Sequence, residues 1–383
     1  MPAPSRIRSI DIARGVVMVL MAIDHVRVFA AVPAGGATTD LFLTRWVTNF
    51  CAPAFAFLAG ASIYLYGQKR NDPGALSRWL LMRGAWLVLL ELTWLRLAWT
   101  FNFDYTHYML AGVIWMLGWC MILMALLVRL PLAANAALGL LIIVCHNGLA
   151  NAFAGSRQAL LQSDLGWLWR ILYFGGAAGP NFFVLYSIVP WIGVMAVGYS
   201  FGLVLRMDPQ RRDHLCYAIG AGAIAVFAVL RYFTIYGDWP WAGGEDGPAW
   251  MAFLNTSKYP ASLLFLLMTL GPTIAALPLL ERSRGLLAKW METFGHVPMF
   301  YYLLHIPLIH IMALGISLLR TPSATGWLFG NFPLRPSPAP AGYRWSLWLL
   351  YLVTAAVVAI LYFACRWFAG LKSRRKSLWL SYL

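Results

Sequence analysis

Ten apolar stretches, each long enough to cross a lipid bilayer, constrain this chain more than any other feature of its sequence. A membrane-spanning helix needs about 20 mostly apolar residues, and backbone groups in lipid must find their hydrogen-bond partners within the protein. The pattern therefore predicts an all-α, polytopic membrane helical bundle of about ten transmembrane helices, with a single domain over residues 1–383. The predicted spans are 10–31, 44–66, 79–97, 107–129, 131–150, 182–205, 214–236, 259–280, 291–316 and 345–369.

The charge distribution agrees with a membrane protein. Hydrophobic residues make up 61% of the chain and charged residues 11%, which leaves too little polar surface for an ordinary soluble domain. A formal net charge of +15 would suggest a nucleic-acid partner for a soluble protein. Here Lys and Arg concentrate in alternate loops and in a basic tail at 370–383, as the positive-inside rule expects. The sequence thus predicts a cytoplasmic N-terminus and C-terminus, membrane lipid as a partner, and no nucleic acid.

Three longer connections, 151–181, 238–258 and 320–344, fall on the predicted outer side. Within the first, the segment 165–175 is rich in the aromatic residues that are typical of a membrane interface. An interfacial helix and a re-entrant helix are both compatible with it. The five cysteines show no C-x-x-C spacing and lie in or beside predicted helices, so neither a disulfide framework nor a thiolate metal site is expected.

The first predicted helix carries five ionisable residues, Asp11, Arg14, Asp24, His25 and Arg27. An ionisable group in lipid costs roughly 2.5–3.5 kcal/mol on insertion scales, so such residues indicate function or pairing. At about 100° per residue, Asp11, Arg14 and His25 share one face of the helix. Asp24 and Arg27 lie on the opposite face and predict an i,i+3 ion pair, either as a site or as a snorkelling pair at the interface. His25 lies where an outer cavity would open and is a candidate catalytic residue.

Two other helices place polar residues at depth or at a helix mouth. The third carries Arg83 and Glu91, and a buried glutamate must be neutral or paired, here with Arg14 or Arg83. The eighth begins near Pro260, which puts Lys258 and Tyr259 at its outer mouth. These residues are candidates for substrate binding.

The ninth predicted helix contains FGHVPMFYYLLHIPLIH, in which His305 lies one turn from Tyr301 and Tyr302. Pro307 cannot donate a backbone hydrogen bond, so it frees a carbonyl and permits a kink. An aromatic and histidine stripe is usually packing, but a histidine beside a helix break is also a candidate catalytic residue. Tyr302 is a candidate substrate contact.

The chain resembles a known family in the ordered combination of five segments. These are SIDIARGVVMVLMAIDHVR, CAPAFAFLAGAS, PWIGVMAVGY, FLNTSKYPASLLFLLMTLGP and FGHVPMFYYLLHIPLIH. Together they resemble the bacterial membrane proteins grouped with the catalytic domain of heparan-alpha-glucosaminide N-acetyltransferase, within the transmembrane acyltransferases. The resemblance spans nearly the whole chain.

The resemblance implies transfer of an acyl group from cytoplasmic acyl-CoA to an acceptor on the far side of the bacterial inner membrane. The co-substrate would be acetyl-CoA or another acyl-CoA, the acceptor a sugar or a similar small molecule, and no metal is implied. Basic residues of the inner side would bind the CoA phosphates, and the small residues at 50–62 would admit the pantetheine arm. The basic residues are Arg6, Arg8, Arg14, Lys69, Arg78 and Arg83.

One departure from the family concerns the catalytic histidine. The lysosomal member is associated with a histidine between its first and second helices, but the corresponding loop here, 32–43, contains none. We therefore assign the role to His25, with His305 and Asp24 as further candidates, on placement alone. The histidine would act as a general base or carry the acyl group itself.

Two other functions compete with an acyltransferase. A transporter or flippase for a sugar or lipid-linked substrate would use Glu91 and the histidines as a proton relay, although the broken helices do not pair across two halves as transporters usually require. A non-catalytic membrane subunit would leave the buried ionisable groups without a purpose. The sequence leaves a homo-oligomer open.

Overall fold

The computed structural model describes residues 7–36, 38–70, 72–241, 247–330, 333 and 338–375. The described chain is mostly helical. Arg6 and residues 376–383 of the predicted basic tail lie outside the described residues. The α-helices are α1 Arg8–Phe29, α2 Thr39–Trp46, α3 Cys51–Arg70, α4 Pro73–Leu90, α5 Arg96–Thr100, α6 Val113–Leu127, α7 Leu132–Ala152, α8 Arg157–Gln162, α9 Gly166–Trp169, α10 Ile188–Leu205, α11 Pro209–Tyr232, α12 Ala249–Leu254, α13 Leu263–Arg282, α14 Leu286–His296, α15 Pro298–Arg320 and α16 Leu347–Arg374.

Seven helical segments of the described chain are long and apolar enough to cross a membrane. They are Thr39–Arg70, Leu132–Ala152, Ile188–Leu205, Pro209–Tyr232, Leu263–Arg282, Pro298–Arg320 and Leu347–Arg374. The other predicted spans correspond to α1 and α4, which carry charged residues, and to α6, which has 15 residues. The structure confirms a mostly helical chain with several helices suited to a membrane. The count of ten spans and the orientation of the termini stay predictions.

The structure differs from the prediction in two ways. Two of the predicted helices are interrupted, and a small β-sheet is present in a chain predicted to be all-α. The stretch 291–316 divides into α14 and α15 because Pro298 begins a new helix after Val297, whose backbone is not helical. A 3₁₀ turn at Val47–Phe50 separates α2 from α3. Strands β1 Met109–Ala111, β2 Gly176–Ala177 and β3 Phe182–Val184 form a sheet in the order β1-β3-β2, with β1 parallel and β2 antiparallel to β3. Apolar strands this short cannot be told from helix ends by hydropathy.

The contacts divide the chain into two compact units. The first comprises Met1–Cys51, Trp94–Phe103 and Leu279–Leu383, and the second comprises Ala52–Thr93 and Asp104–Pro278. In the second unit, glycines bring helices together: Gly84 on α4 faces Gly118 on α6, and Gly198 on α10 faces the backbone of Phe57 on α3. Small residues at helix crossings are typical of membrane bundles.

In the first unit, α1 and α14 pack backbone against backbone. A Cβ on Gly15 would lie closer than 3.0 Å to the Met291 carbonyl, and a Cβ on Gly295 closer than 3.0 Å to the Asp11 carbonyl. The N-terminus of α1 is held by carboxylates, because Arg8 Nε donates to Glu292 at 2.9 Å and Ser9 N donates to Glu281 at 2.6 Å. These contacts fix the N-terminal end of α1.

Gly15→Ala is expected to destabilise the protein by about 3 kcal/mol, since the added methyl meets backbone atoms that cannot rotate away. Alanine otherwise favours a helix interior over glycine by about 1 kcal/mol. Gly315→Ala on α15 is the matched control, because no atom lies within 4 Å of a Cβ at Gly315. Thermal unfolding in detergent should show a lower midpoint for Gly15→Ala and an unchanged or higher midpoint for Gly315→Ala. Equal midpoints for the two variants would contradict the close packing of α1 against α14.

Candidate active site

Two histidines predicted from the sequence lie in contact within the first unit. Nδ1 of His25 on α1 lies 2.6 Å from Nε2 of His305 on α15. The two rings are inclined by only 21°, so the shared proton lies near the plane of both rings. His305 is fully buried, whereas His25 is half-buried. His25 is therefore the less buried member of the pair.

Hydrogen-bond chemistry determines the tautomers of the neutral pair. Nδ1 of His305 lies 2.6 Å from the carbonyl oxygen of Tyr302, and a carbonyl can only accept. His305 therefore carries its proton on Nδ1 and has a lone pair on Nε2. His25 must donate from Nδ1 to that lone pair, which puts the lone pair of His25 on Nε2. In this arrangement the buried His305 orients the imidazole of His25 and leaves Nε2 of His25 as its basic nitrogen.

Pro307 lies inside the continuous helix α15, without a break in the helix, and it frees a backbone carbonyl as the sequence predicts. Pro307 lacks the N–H that would bond to the carbonyl of Leu303, and that carbonyl instead accepts a hydrogen bond from Trp94 Nε1 at 2.9 Å. Tyr301 donates to the carbonyl of Met18 on α1 at 3.3 Å. These two bonds hold the turn of α15 that precedes His305.

Aromatic rings that the sequence analysis did not single out surround the histidine pair. Trp99 presents its ring edge-on to His25 at a centroid distance of 5.1 Å and stacks on Phe29 at 5.3 Å. His310 packs against Phe29 and lies parallel to Phe101 at 4.0 Å. Trp99 sits on α5, 74 residues or more from either histidine in the chain, so no local pattern points to it. The surroundings of His25 are thus largely apolar.

Asp24 and Arg27 form the predicted i,i+3 ion pair, with Arg27 Nε 3.0 Å from Asp24 Oδ1. Arg45 Nη1 lies 4.0 Å from the same oxygen. Arg27 also donates to the carbonyl of Val32, and Arg45 donates to Thr48. The cluster therefore ties the end of α1 to the segment before α3.

The opposite end of α1 carries a second charged cluster around Asp11. Arg14 Nη1 lies 3.6 Å from Asp11 Oδ1, and His296 Nε2 lies 3.5 Å from Asp11 Oδ2 and 3.9 Å from Glu292. Eleven residues separate Arg14 from His25, about 17 Å along the helix and on nearly the same face. His296 is a member that sequence reasoning missed, although it stands in the FGHVP motif before the break at Val297.

The prediction that Glu91 pairs with Arg14 or Arg83 is wrong, because its partners are backbone amides. Glu91, in the second unit, is 4% exposed, and its Oε2 accepts from the backbone amides of Ile114 at 2.9 Å and Trp115 at 3.1 Å. These are the amides of the second and third residues of α6, whose N-terminus favours negative charge. Gly112 makes the approach possible, because a Cβ there would lie closer than 3.0 Å to the carboxylate. Glu91 thus caps a helix, which sequence spacing alone could not indicate.

Of the remaining predicted site residues, Arg83, Lys258 and Tyr259 belong to the second unit. Arg83 lies over the ring of Trp79 at 5.6 Å. Lys258 is buried beside Tyr259, with Nζ 5.4 Å from the ring centroid. Tyr302 belongs to the first unit and contacts His305 both by its carbonyl and by its ring, at 5.0 Å. Among the described residues, no group of three His, Cys, Asp or Glu side chains could hold a metal ion.

Comparison with known proteins identifies the family. The family model described as heparan-alpha-glucosaminide N-acetyltransferase, catalytic, matches residues 6–234. A search of the curated proteins found no match. The matched region contains α1 with His25, Asp24 and Arg27, and also Glu91 with the helix that it caps. Because the match covers more than half of the chain, this protein belongs to the heparan-alpha-glucosaminide N-acetyltransferase catalytic-domain family.

Proposed function

We propose that this protein is a membrane-embedded acyltransferase that moves an acyl group from acyl-CoA to a sugar or similar acceptor. The family supports an acetyltransferase-like membrane enzyme, and acetyl-CoA is the donor to test first. The observation that carries the proposal is the pair of histidines, with Nδ1 of His25 2.6 Å from Nε2 of His305. This pairing directs a basic nitrogen of His25 away from its partner, as general-base catalysis requires.

In the proposed reaction, Nε2 of His25 accepts the proton of the acceptor hydroxyl or amine as that group attacks the thioester carbonyl. The carbon–sulfur bond then breaks, and the same proton passes from His25 to the leaving thiolate to form free CoA. His305 does not touch the substrate. It is a positioning residue, because its lone pair orients the imidazole of His25 and stabilises the proton on Nδ1 of His25 during the reaction.

Two charged clusters on α1 would have separate roles, one in binding the acyl donor and the other in holding the helix near His25. The cluster of Asp11, Arg14 and His296 lies on the predicted cytoplasmic side, where Arg14 would contact the CoA phosphates. Asp24 and Arg27 lie one residue before and two residues after His25, and their ion pair would hold the outer turn of α1 in the geometry that the reaction needs. The pantetheine arm would extend along α1 between the two clusters.

The donor and acceptor sides of the membrane follow from the predicted topology. With a cytoplasmic N-terminus, Arg14 lies near the cytoplasm and His25 toward the outside. We therefore propose that acyl-CoA binds from the cytoplasm and that the acceptor is acylated on the outer side of the bacterial inner membrane. The positive-inside distribution of Lys and Arg supports this orientation.

Purified protein in sealed liposomes tests the function. Acetyl-CoA is supplied on one side and an amino sugar on the other, and free CoA thiol and acetylated sugar are measured over time. We expect stoichiometric release of thiol and acetylated sugar, because each transfer breaks one thioester bond. Protein-free liposomes and a boiled sample control for spontaneous hydrolysis.

The same assay separates the enzyme from the transporter. Movement of unmodified sugar across the membrane without thiol release would overturn the acyltransferase proposal in favour of a carrier. Thiol release without a modified acceptor would show only thioester hydrolysis, and a panel of acceptors with hydroxyl and amino groups then distinguishes a wrong acceptor from a wrong reaction. If no acceptor in the panel is modified, acyl transfer to a sugar is refuted.

A further inference from the structure

A rigid loop precedes α13 in the second unit, and Asp238 organises it. Asp238 accepts hydrogen bonds from the backbone amide of Ser257 at 2.8 Å, from the Ser257 hydroxyl at 2.6 Å and from the Ser262 hydroxyl at 2.7 Å. The amide of Ser262 donates back to the carbonyl of Ser257 at 2.9 Å. One carboxylate therefore holds both ends of the turn that carries Lys258.

Neighbouring helices fix the same loop. His146 Nε2 on α7 lies 2.7 Å from the carbonyl of Ala261, and Asn147 on α7 accepts from the amide of Leu263 at 2.8 Å. Lys258 and Ala261 form a β-bridge across the turn. A loop bonded from both sides holds its side chains in place before any ligand binds, which lowers the entropy lost on binding.

Lys258 differs from the other polar residues of this loop. Asp238, Ser257 and Ser262 are hydrogen-bonded to one another, whereas the Lys258 ammonium is not bonded to any of them. The residue is only 8% exposed. Within the described residues its contact is the ring of Tyr259, and no carboxylate lies within ion-pair distance of it. Asp238, the nearest acid along the described loop, is already occupied by the two serines. A buried ammonium without an anion is costly, so natural proteins pair such groups or use them to bind ligands.

Aromatic side chains beside Lys258 complete a surface suited to a sugar-sized ligand. Tyr259 donates from its hydroxyl to the hydroxyl of Tyr186 at 3.3 Å, and their rings meet at 81°. Tyr259 is 40% exposed, so a ligand can reach its ring. Tyr186 in turn packs against Trp191 at 5.4 Å. A cation next to an exposed aromatic ring favours a ligand that has both an apolar face and a negative group.

We propose that Lys258 and Tyr259 form an oxyanion-binding site for a carboxylate or phosphate group carried by a small ligand. The Lys258 ammonium contacts the anion, and the ring of Tyr259 packs against the body of the ligand. The site is independent of the acyl transfer proposed above, because it is defined by binding and rests on the second unit alone. A soluble sugar acid or sugar phosphate and a lipid phosphate share the chemistry that such a site recognises.

Binding to the full-length protein in dodecyl maltoside, a detergent without phosphate, tests the site. The probes are glucuronate and glucose 1-phosphate with glucose as their neutral counterpart, and short-chain phosphatidylglycerol with short-chain diacylglycerol as its neutral counterpart. We expect at least one anion to bind about tenfold or more tightly than its neutral counterpart, the range that a charge-assisted contact supplies. Preference for the sugar anions or for the lipid identifies the source of the oxyanion.

Variants test whether Lys258 causes the preference for an anion over its neutral counterpart. Lys258→Met keeps the length of the side chain and removes its charge, so the preference should fall to about one, whereas Lys258→Arg should retain most of it. Lys289→Met, at an exposed lysine of the first unit with no assigned binding role, is the matched control and should bind as the wild type does. Tyr259→Leu should weaken the sugar anion and the neutral sugar by similar factors, because it removes the ring and leaves the charge.

Several results would overturn the proposal. Wild-type protein that binds no anion more tightly than its neutral counterpart excludes the site, and this measurement does not depend on whether any variant folds. An equal loss in Lys258→Met and Lys289→Met would show diffuse attraction by the net charge. An anion preference that appears only in the Glu245→Gln/Asp246→Asn double variant would show that an acid of the chain itself, outside the described residues, neutralises Lys258.

Discussion

His25→Ala is expected to lower kcat for CoA release by about 10³-fold, the largest effect of any single substitution in this protein. The reason is that Nε2 of His25 is the proposed proton acceptor, and a positioned general base typically contributes 10²–10⁴-fold. The KM for acetyl-CoA should change little, because the proposed phosphate contacts lie about 17 Å away at Arg14. The measurement is initial thiol release in liposomes at saturating donor.

His25→Gln and His107→Ala make the test specific. Glutamine retains polarity and approximate size but cannot accept and return a proton at neutral pH, so it should be as inactive as alanine. His107 is exposed in the second unit and paired with Asp104, and its removal should leave the rate unchanged. Wild-type activity in a well-folded His25→Gln protein would refute the role of His25 as a base, and loss of rate in both histidine variants would point to a general loss of folding.

His305→Leu is expected to lower kcat by about 10²-fold with little change in KM. Without the lone pair on Nε2 of His305, Nδ1 of His25 loses its acceptor, and the imidazole is free to rotate and to exchange tautomers. The smaller factor reflects the indirect role, since the base itself is still present. Leucine fills much of the buried volume and limits the cavity that alanine would leave.

His305→Gln distinguishes positioning from packing. Its amide oxygen can accept the proton on Nδ1 of His25, so this variant should recover about tenfold over His305→Leu if the hydrogen bond matters. The pH dependence of kcat should also change in His305→Leu, because the acceptor for the proton on His25 has been lost, and His305→Gln should restore part of the wild-type profile. If leucine and glutamine give equal rates and the pH profile is unaltered, His305 is only a packing residue.

Parts of the site were predictable because their causes are local. The spacing of Asp24 and Arg27 on one helix predicted their ion pair, and the structure confirms it at 3.0 Å. The missing N–H of Pro307 predicted a free carbonyl four residues earlier, and the carbonyl of Leu303 bonds to Trp94. Each of these follows from the geometry of a single helix.

Other parts were not predictable because they depend on residues distant in the chain. The sequence named His25 and His305 separately, and only the packing of α1 against α15 brings their nitrogens to 2.6 Å. The sequence indicates a Glu91 that is either neutral or paired with an arginine, whereas in the structure the turn at Gly112 brings the N-terminus of α6 to its carboxylate. His296 joins Asp11 because Gly15 and Gly295 let α1 and α14 approach closely.

The sequence by itself determined that this protein is a helical membrane protein of a recognisable family. Hydropathy is summed along each segment, and a bilayer admits only a few backbone structures, so local composition is sufficient for that conclusion. The tertiary structure alone decided which polar groups in the apolar interior pair with each other. A buried charge or imidazole is stabilised only by a partner within a few ångströms, and such a partner can come from any point along the chain.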